Sequence, residues 1–298
     1  DSDNPVKDLS IFASPVNCCA NTTVRNDVKS NQDINMDEPL ATPQMSMKKG
    51  LKVFGESGVE AVKKEMLQLH DRKVMDPRHA SELTPAQKKE ALAYLMFLKR
   101  KRCGKIKGRG VADGRPQRAY IAREDAASPT LHTESVFLTT VIDALEGRVV
   151  AVVDVPGAFM QADMDEIVHV RFTGKMVELL LEIDRDMYAP CVVTEGKERV
   201  MYVELLKALY GTVRAARLFW EKLTGKLLEW GFTPNPYDSC VMNKIVDGKQ
   251  LTVAWHVDDL KVSHVQTSVV DLFIADMNKE FGKEEPLNES RGTIHDYL

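Results

Sequence analysis

The sequence predicts an α+β fold built on a ferredoxin-like sheet, and three observations carry that prediction. "RVVAVVD" (148–154) is a continuous β-branched run suited to a buried central strand. "CVMNKIVDGKQLTVAWHVDDLKVSH" (240–264) reads as successive short strands, with turns at Asp247-Gly248 and at the pair Asp258-Asp259. Each is followed or preceded by an amphipathic helical pattern, so the order is strand, helix, strand-turn-strand, helix, the βαββαβ arrangement.

The elements follow in order. Residues 1–50 are rich in Asn, Asp, Ser, Thr and Pro without sustained periodicity, and read as a disordered arm. A helical lead-in over 51–98 comes next. Val59, Val62, Met66 and Leu69 are spaced for a helix near 58–72. Thr84, Pro85 and Gln87 form a helix start signal, and Ala91, Leu95 and Leu98 would share one face of that helix. It would run into the basic stretch "KRKRCGKIKGRG" (99–110). A helix over 134–146 carries Phe137, Val141 and Ala144 in one row and Leu138, Ile142 and Leu145 in another. A long helix over 205–230 is spaced by Phe219, Leu223, Leu227 and Trp230. A last one, over 267–281, is spaced by Val270, Ile274, Met277 and Phe281 and stopped by Gly282.

Composition narrows the function classes. The chain has 298 residues, 44% hydrophobic and 28% charged, as a soluble globular protein does. Its net charge of -4 hides a segregation: nine Lys or Arg against one acid between Lys99 and Arg118, with the notable carboxylates far downstream. Such a chain suits a polyanion that must also meet metal ions. The five cysteines are scattered and lack metal-ligand spacing, which points to a reducing compartment, with Cys191 and Cys240 as small core residues. No apolar run approaches a membrane span and no signal pattern opens the chain, so the expectation is a soluble intracellular protein without membrane contact.

A lone Asp-Asp pair is ordinarily a solvated turn. In a βαββαβ sheet, however, the end of "VVAVVD" can lie beside the "HVDD" turn. Asp154 then joins Asp258 and Asp259, and a divalent cation could hold the three together. Carboxylates at strand ends bind hard cations such as Mg²⁺. Two such ions about 4 Å apart clamp the oxygens of an in-line phosphoryl displacement.

The residues also carry a family resemblance. "HVDDL" resembles the Tyr-x-Asp-Asp motif of reverse transcriptases, with His256 in the Tyr position. "VVDVPGAFMQADMDEIVHV" resembles the copia-type motif in which an Ala-Phe pair and an acidic stretch follow the Asp. "LKALYGTVRAARLFWEKL" is similar to the Leu-Tyr-Gly element leading into a helix. "KIKGRGVADG" is similar to the fingers motif, and "DAASPT" to the Ser-Pro after it. The five occur in family order over roughly 100–298. The chain is thereby identified as resembling the reverse transcriptase segment of a copia-type long-terminal-repeat retrotransposon Pol polyprotein.

The resemblance implies fingers and a ferredoxin-like palm over 99–298, truncated before the thumb. It implies RNA-directed DNA polymerase activity with two Mg²⁺ ions, Mn²⁺ being the alternative. Asp154 and Asp258 would be the main metal ligands, Asp259 would complete the cluster, and the Val155 carbonyl would be a further ligand. Phe159 falls at the steric-gate position beneath the sugar; its plain reading is a core aromatic. Lys107 and Arg109 would grip the triphosphate, and Tyr210 and Gly211 would line the pocket for base and template. Partners would be an RNA or DNA template-primer and deoxynucleoside triphosphates, with the thumb, ribonuclease H, protease and integrase segments absent. The implied location is cytoplasmic, in retrotransposon particles, with the nucleus as the alternative. Arg214, Ala216, His256 and Pro156 depart from common family forms. Two rival readings share features: a decayed or domesticated element that binds nucleic acid without catalysis, and a nucleotide cyclase. The basic segment and the Leu-Tyr-Gly element argue against the cyclase, which needs no template track. "RGTIHDYL" (291–298) would begin the strand toward a primer grip.

Overall fold

The computed structural model describes residues 43–101, 103–292 and 297. Most of the expected N-terminal arm and most of "RGTIHDYL" therefore lie outside the described residues. Order begins before residue 51. Strand β1 (Met45–Ser46) leads straight into helix α1 (Met47–Asp71), which bends at Gly55 where φ is +55°. Strand β2 (Met75–Arg78) follows, then helix α2 (Pro85–Glu90), opened by the expected reciprocal cap between Thr84 and Gln87.

α2 is shorter than its start signal implied. Residues Leu92–Arg100 form strand β3, in which Leu92, Tyr94, Met96 and Leu98 are buried. That alternation has a period of two, so Leu95 and Leu98 lie on opposite faces and not on one helical row. The spacing of Ala91, Leu95 and Leu98 fits a helical row only; the alternation of Leu92, Tyr94, Met96 and Leu98 is the pattern that burial follows, and it makes the segment a strand. The lead-in is thus only partly helical.

Beyond β3 come β4 (Ile106–Ala112), α3 (Arg123–Ala126), α4 (Thr133–Glu146) and β5 (Val149–Asp154). Next are β6 (His169–Thr173), α5 (Lys175–Ile183), α6 (Arg185–Tyr188), β7 (Val192–Glu195) and β8 (Glu198–Leu205). Helix α7 spans Ala215–Glu229, ten residues shorter at its start than the periodicity over 205–230 suggested. Its predicted first turns are instead the end of β8 and the loop through Tyr210-Gly211, where Gly211 has φ +92°. The chain closes with β9 (Thr233–Pro234), β10 (Val241–Val246), β11 (Lys249–His256), β12 (Asp259–His264), α8 (Thr267–Phe281) and β13 (Asn288–Arg291).

Two sheets result. One runs β1-β3-β6-β8-β2, with β4 paired to β3 and β7 to β8. The other runs β13-β5-β12-β11-β10-β9 and is antiparallel throughout. Taken with α7 and α8, the strands β5, β11, β12 and β13 follow the βαββαβ chain order and lie side by side as 4-1-3-2.

The second sheet has two unlike faces. Ala151, Val153, Leu260, Val262 and Trp255 join Phe219, Leu223, Val270, Ile274 and Met277 of α7 and α8 in one apolar core. The opposite face meets α4 through polar groups. Lys261 Nζ pairs with Asp143 at 2.6 Å and donates to Thr139 Oγ1 at 2.8 Å, with all three side chains buried. Both apolar rows expected on α4 belong largely to solvent, since Phe137, Leu138, Val141 and Leu145 are exposed. The polar side docks because Lys261 occupies the strand face beneath it and needs a buried counter-charge.

Candidate active site

The register of the second sheet brings Asp154, Asp258 and Asp259 to one corner of the backbone. β5 and β12 pair antiparallel with Asp154 opposite Asp259. β11 and β12 pair with His256 opposite Asp259, so only Val257 and Asp258 form the turn between them. The turn therefore falls one residue earlier than the Asp pair itself. Val257 is held at φ +58°, which a β-branched side chain adopts only under strain. The Val155 N–H donates to the Asp258 carbonyl at 3.0 Å, tying the end of β5 to the turn.

Burial and like charge act together at this corner. Burial pushes the Asp258 carboxyl above its ordinary range and the charge of Asp154 adds to this, while Arg109 and Lys107 pull it back. Asp259 is likewise raised, first by burial, then by Asp258 and Asp154. Asp154 Oδ2 accepts from Asn288 Nδ2 at 2.9 Å, a contact from β13 that no motif announced. Among the described residues no three or more His, Cys, Asp or Glu side chains are arranged as a set that could hold a metal ion. Mg²⁺ asks for less, because one or two carboxylates suffice when substrate phosphates complete its shell. The carboxyls of Asp258 and Asp259, both raised by burial and by neighbouring negative charge, are groups of the type such an ion takes.

The other predicted residues gather around this corner. The Phe159 ring lies 4.4 Å from the Tyr210 ring, and the Arg109 guanidinium sits 5.3 Å over Tyr210. Burial raises the Tyr210 hydroxyl to about 12, with Asp258 adding to the effect. Lys107 and Arg109 project from one face of β4 and are exposed.

Gly211 is fixed by contact as well as by its φ. A Cβ there would stand 2.0 Å from the Ala112 carbonyl oxygen. The Ala112 N–H donates to the Tyr210 carbonyl at 2.8 Å, so backbone meets backbone between β4 and the Tyr210 loop. Gln117 is buried and accepts from the Val213 N–H at 3.0 Å, locking the same junction. Beside it opens a cleft of about 820 Å³, lined among others by Phe97, Val111, Arg115, Arg118 and Arg123.

Sequence reasoning missed two further charged residues. Arg72 is buried, pairs with Glu284 at 2.9 Å, and lies about 3.1 Å from where a Cβ on Gly157 would stand. It thereby braces the turn between Asp154 and Phe159. Glu65 on α1 accepts from the Gly110 N–H at 2.8 Å. Neither lies in a recognisable motif, and only the tertiary contact reveals them.

The model for the family Reverse transcriptase (RNA-dependent DNA polymerase) matches residues 84–289. The chain belongs to the reverse transcriptase family. It is accordingly a nucleotidyltransferase of the RNA-directed DNA polymerase class, whose substrates are a nucleic-acid template-primer and deoxynucleoside triphosphates. Among curated proteins none matches the chain. No helix of the described residues of this reverse transcriptase is long and apolar enough to cross a membrane.

Proposed function

We propose that this reverse transcriptase is the copia-type polymerase segment of a long-terminal-repeat retrotransposon polyprotein, acting with two Mg²⁺ ions at Asp154, Asp258 and Asp259. The sheet of β5, β11, β12 and β13 would be its palm, and β3 with β4 its fingers. The single observation that supports this reading most is the pairing of Asp154 with Asp259 across β5 and β12, with Asp258 in the turn from β11 into β12.

In the reaction the primer 3′-oxygen bonds to the α-phosphorus of the deoxynucleoside triphosphate, and pyrophosphate leaves. The bound ions would supply positive charge to the attacking and leaving oxygens. Asp154 and Asp258 would hold them, with the Val155 carbonyl as a further ligand. Lys107 and Arg109 would receive the triphosphate on the exposed face of β4, as isolated cations suit phosphate oxygens. Phe159 would close the space below the sugar, where a bulky ring leaves no room for a 2′-hydroxyl. Tyr210 and Gly211 would form the floor for base and template. The basic hairpin and the arginine-rimmed cleft beside Gly211 would carry the nucleic-acid backbone, so binding should weaken steeply between about 50 and 200 mM salt.

The test is primer extension on RNA and DNA templates by the chain and by Asp258→Asn. The variant should retain template-primer affinity while losing about 10³-fold in rate, the scale of several kcal/mol of charge stabilisation. Binding without extension by the unmodified chain would assign it instead to the nucleic-acid-binding class.

A further inference from the structure

The family match begins at residue 84, and helix α1 lies wholly before it. The contacts of α1 nevertheless lead into the nucleotide-binding strand. β4 pairs with β3 and with no other described strand, so one of its edges lacks a neighbour. An open strand edge presents N–H groups that need partners. α1 supplies the partner here.

β4 reads Ile-Lys-Gly-Arg-Gly-Val-Ala, and its two faces differ completely. Lys107 and Arg109 are exposed on one face, while Gly108 and Gly110 are buried on the other. A Cβ on Gly108 would stand 2.7 Å from the Ala61 carbonyl oxygen of α1, so only glycine lets the helix come this close. A Cβ on Gly110 would fall onto the buried Tyr94 hydroxyl. One helical turn beyond Ala61, Glu65 Oε1 takes the Gly110 N–H at 2.8 Å. The bond spans 45 residues of sequence and fixes the backbone directly after Arg109.

We propose that Glu65 is a positioning residue for nucleotide binding, holding β4 against α1 so that Lys107 and Arg109 present their charges toward the Asp258 corner. This rests on the reading of those two cations as the triphosphate grip. The electrostatics agree with the geometry: Lys107 and Arg109 both act on the Glu65 carboxyl, and both act on Asp258. A carboxylate beneath the strand and a carboxylate cluster beyond it thus flank the same pair of cations. Glu65 itself touches no substrate. What it contributes is an acceptor oxygen, which glutamine can also supply.

The experiment measures the Kd of a fluorescent deoxynucleoside triphosphate for the full chain with template-primer bound, together with hydrogen exchange over residues 106–112. Glu65→Ala should weaken nucleotide binding about tenfold, the scale of one buried donor left unpaired. It should also speed exchange in β4, and weaken template-primer affinity less than nucleotide affinity. Glu65→Gln should restore both readouts. Should Glu65→Ala fail to fold, Gly108→Ala keeps the carboxylate, pushes β4 off Ala61, and should weaken nucleotide binding in the same way. Unchanged nucleotide affinity in Glu65→Ala, alongside a loss in Lys107→Ala, would overturn the inference. Equal losses in Glu65→Ala and Glu65→Gln would also overturn it, because charge and not the bond would then matter. If Lys107→Ala has no effect, the triphosphate reading itself falls, and faster exchange in Glu65→Ala alone would then mark Glu65 as a purely structural tether.

Discussion

The Phe159 ring packs against the Tyr210 ring at 4.4 Å and an interplanar angle of 43°, joining the loop after β5 to the loop before α7. Phe159 is half-buried against the apolar core, so it packs there and keeps part of its ring accessible. Phe159→Ala should raise the ratio of ribonucleotide to deoxyribonucleotide kcat/KM. A purely core phenylalanine would instead cost roughly 3–5 kcal/mol on truncation and lower both activities alike. The two kcat/KM values, measured beside thermal stability, separate these outcomes; an unchanged ratio in a destabilised protein removes the gate.

The buried pair of Lys261 and Asp143 should behave as a unit. Asp143→Ala leaves the Lys261 ammonium under α4 without its counter-charge, and should destabilise the fold by about 3–5 kcal/mol. Burial already pushes the Lys261 pKa down, and Asp143 resists that. Lys261→Met combined with Asp143→Leu should recover most of the loss. Denaturant midpoints of Lys261→Met, Asp143→Leu and the double variant check this, and additive losses would contradict the coupling.

Gly211→Ala should be among the most damaging single-methyl additions in the chain. The residue combines φ +92° with a carbonyl oxygen 2.0 Å from the added carbon. Conformational strain alone is about 1–3 kcal/mol, and relief of the clash must move the Tyr210 loop away from Ala112. The expected readouts are a lower Tm and weaker binding of both nucleotide and template-primer. A variant as stable as the parent would mean that the junction gives freely.

Stability should depend on pH through Glu65. Burial raises its folded-state pKa above the ordinary 4.5, more than Gly110, Lys107 and Arg109 lower it. A carboxyl with a raised folded pKa binds its proton more tightly when folded, so its ionisation opposes folding at neutral pH. That penalty fades as pH falls through the raised folded value toward 4.5. Glu65→Gln should therefore melt above the parent at pH 7, with the gap closing on acidification. A gap that widens at low pH would reverse the sign and refute the assignment.

Much of the fold could be read directly from periodicity. "RVVAVVD" became β5, the 247–248 turn joined β10 to β11, and the capping signal at Thr84 opened α2 where expected. The readings that failed were those where tertiary burial overruled the apolar row picked out along the chain. Ala91, Leu95 and Leu98 fit a helix, but residues 92–100 are a strand of the first sheet, with Leu98 against Gly50 and Gly58 of α1, and burial selected alternation. On α4 the apolar rows suggested the buried side, yet the lysine on the strand below drew Asp143 and Thr139 inward.

The sequence by itself determined which chemistry the chain holds, because the acidic, basic, aromatic and glycine motifs are local and their order along the chain is plain. Only the tertiary structure decided which groups meet. Asp154 and Asp259 are 105 residues apart and become strand partners through register, which no local spacing encodes. Glu65, Arg72 and Asn288 are single polar residues without a motif around them. Their roles arise because a strand edge, a tight glycine turn and a carboxylate each need a partner, and folding puts those three in reach.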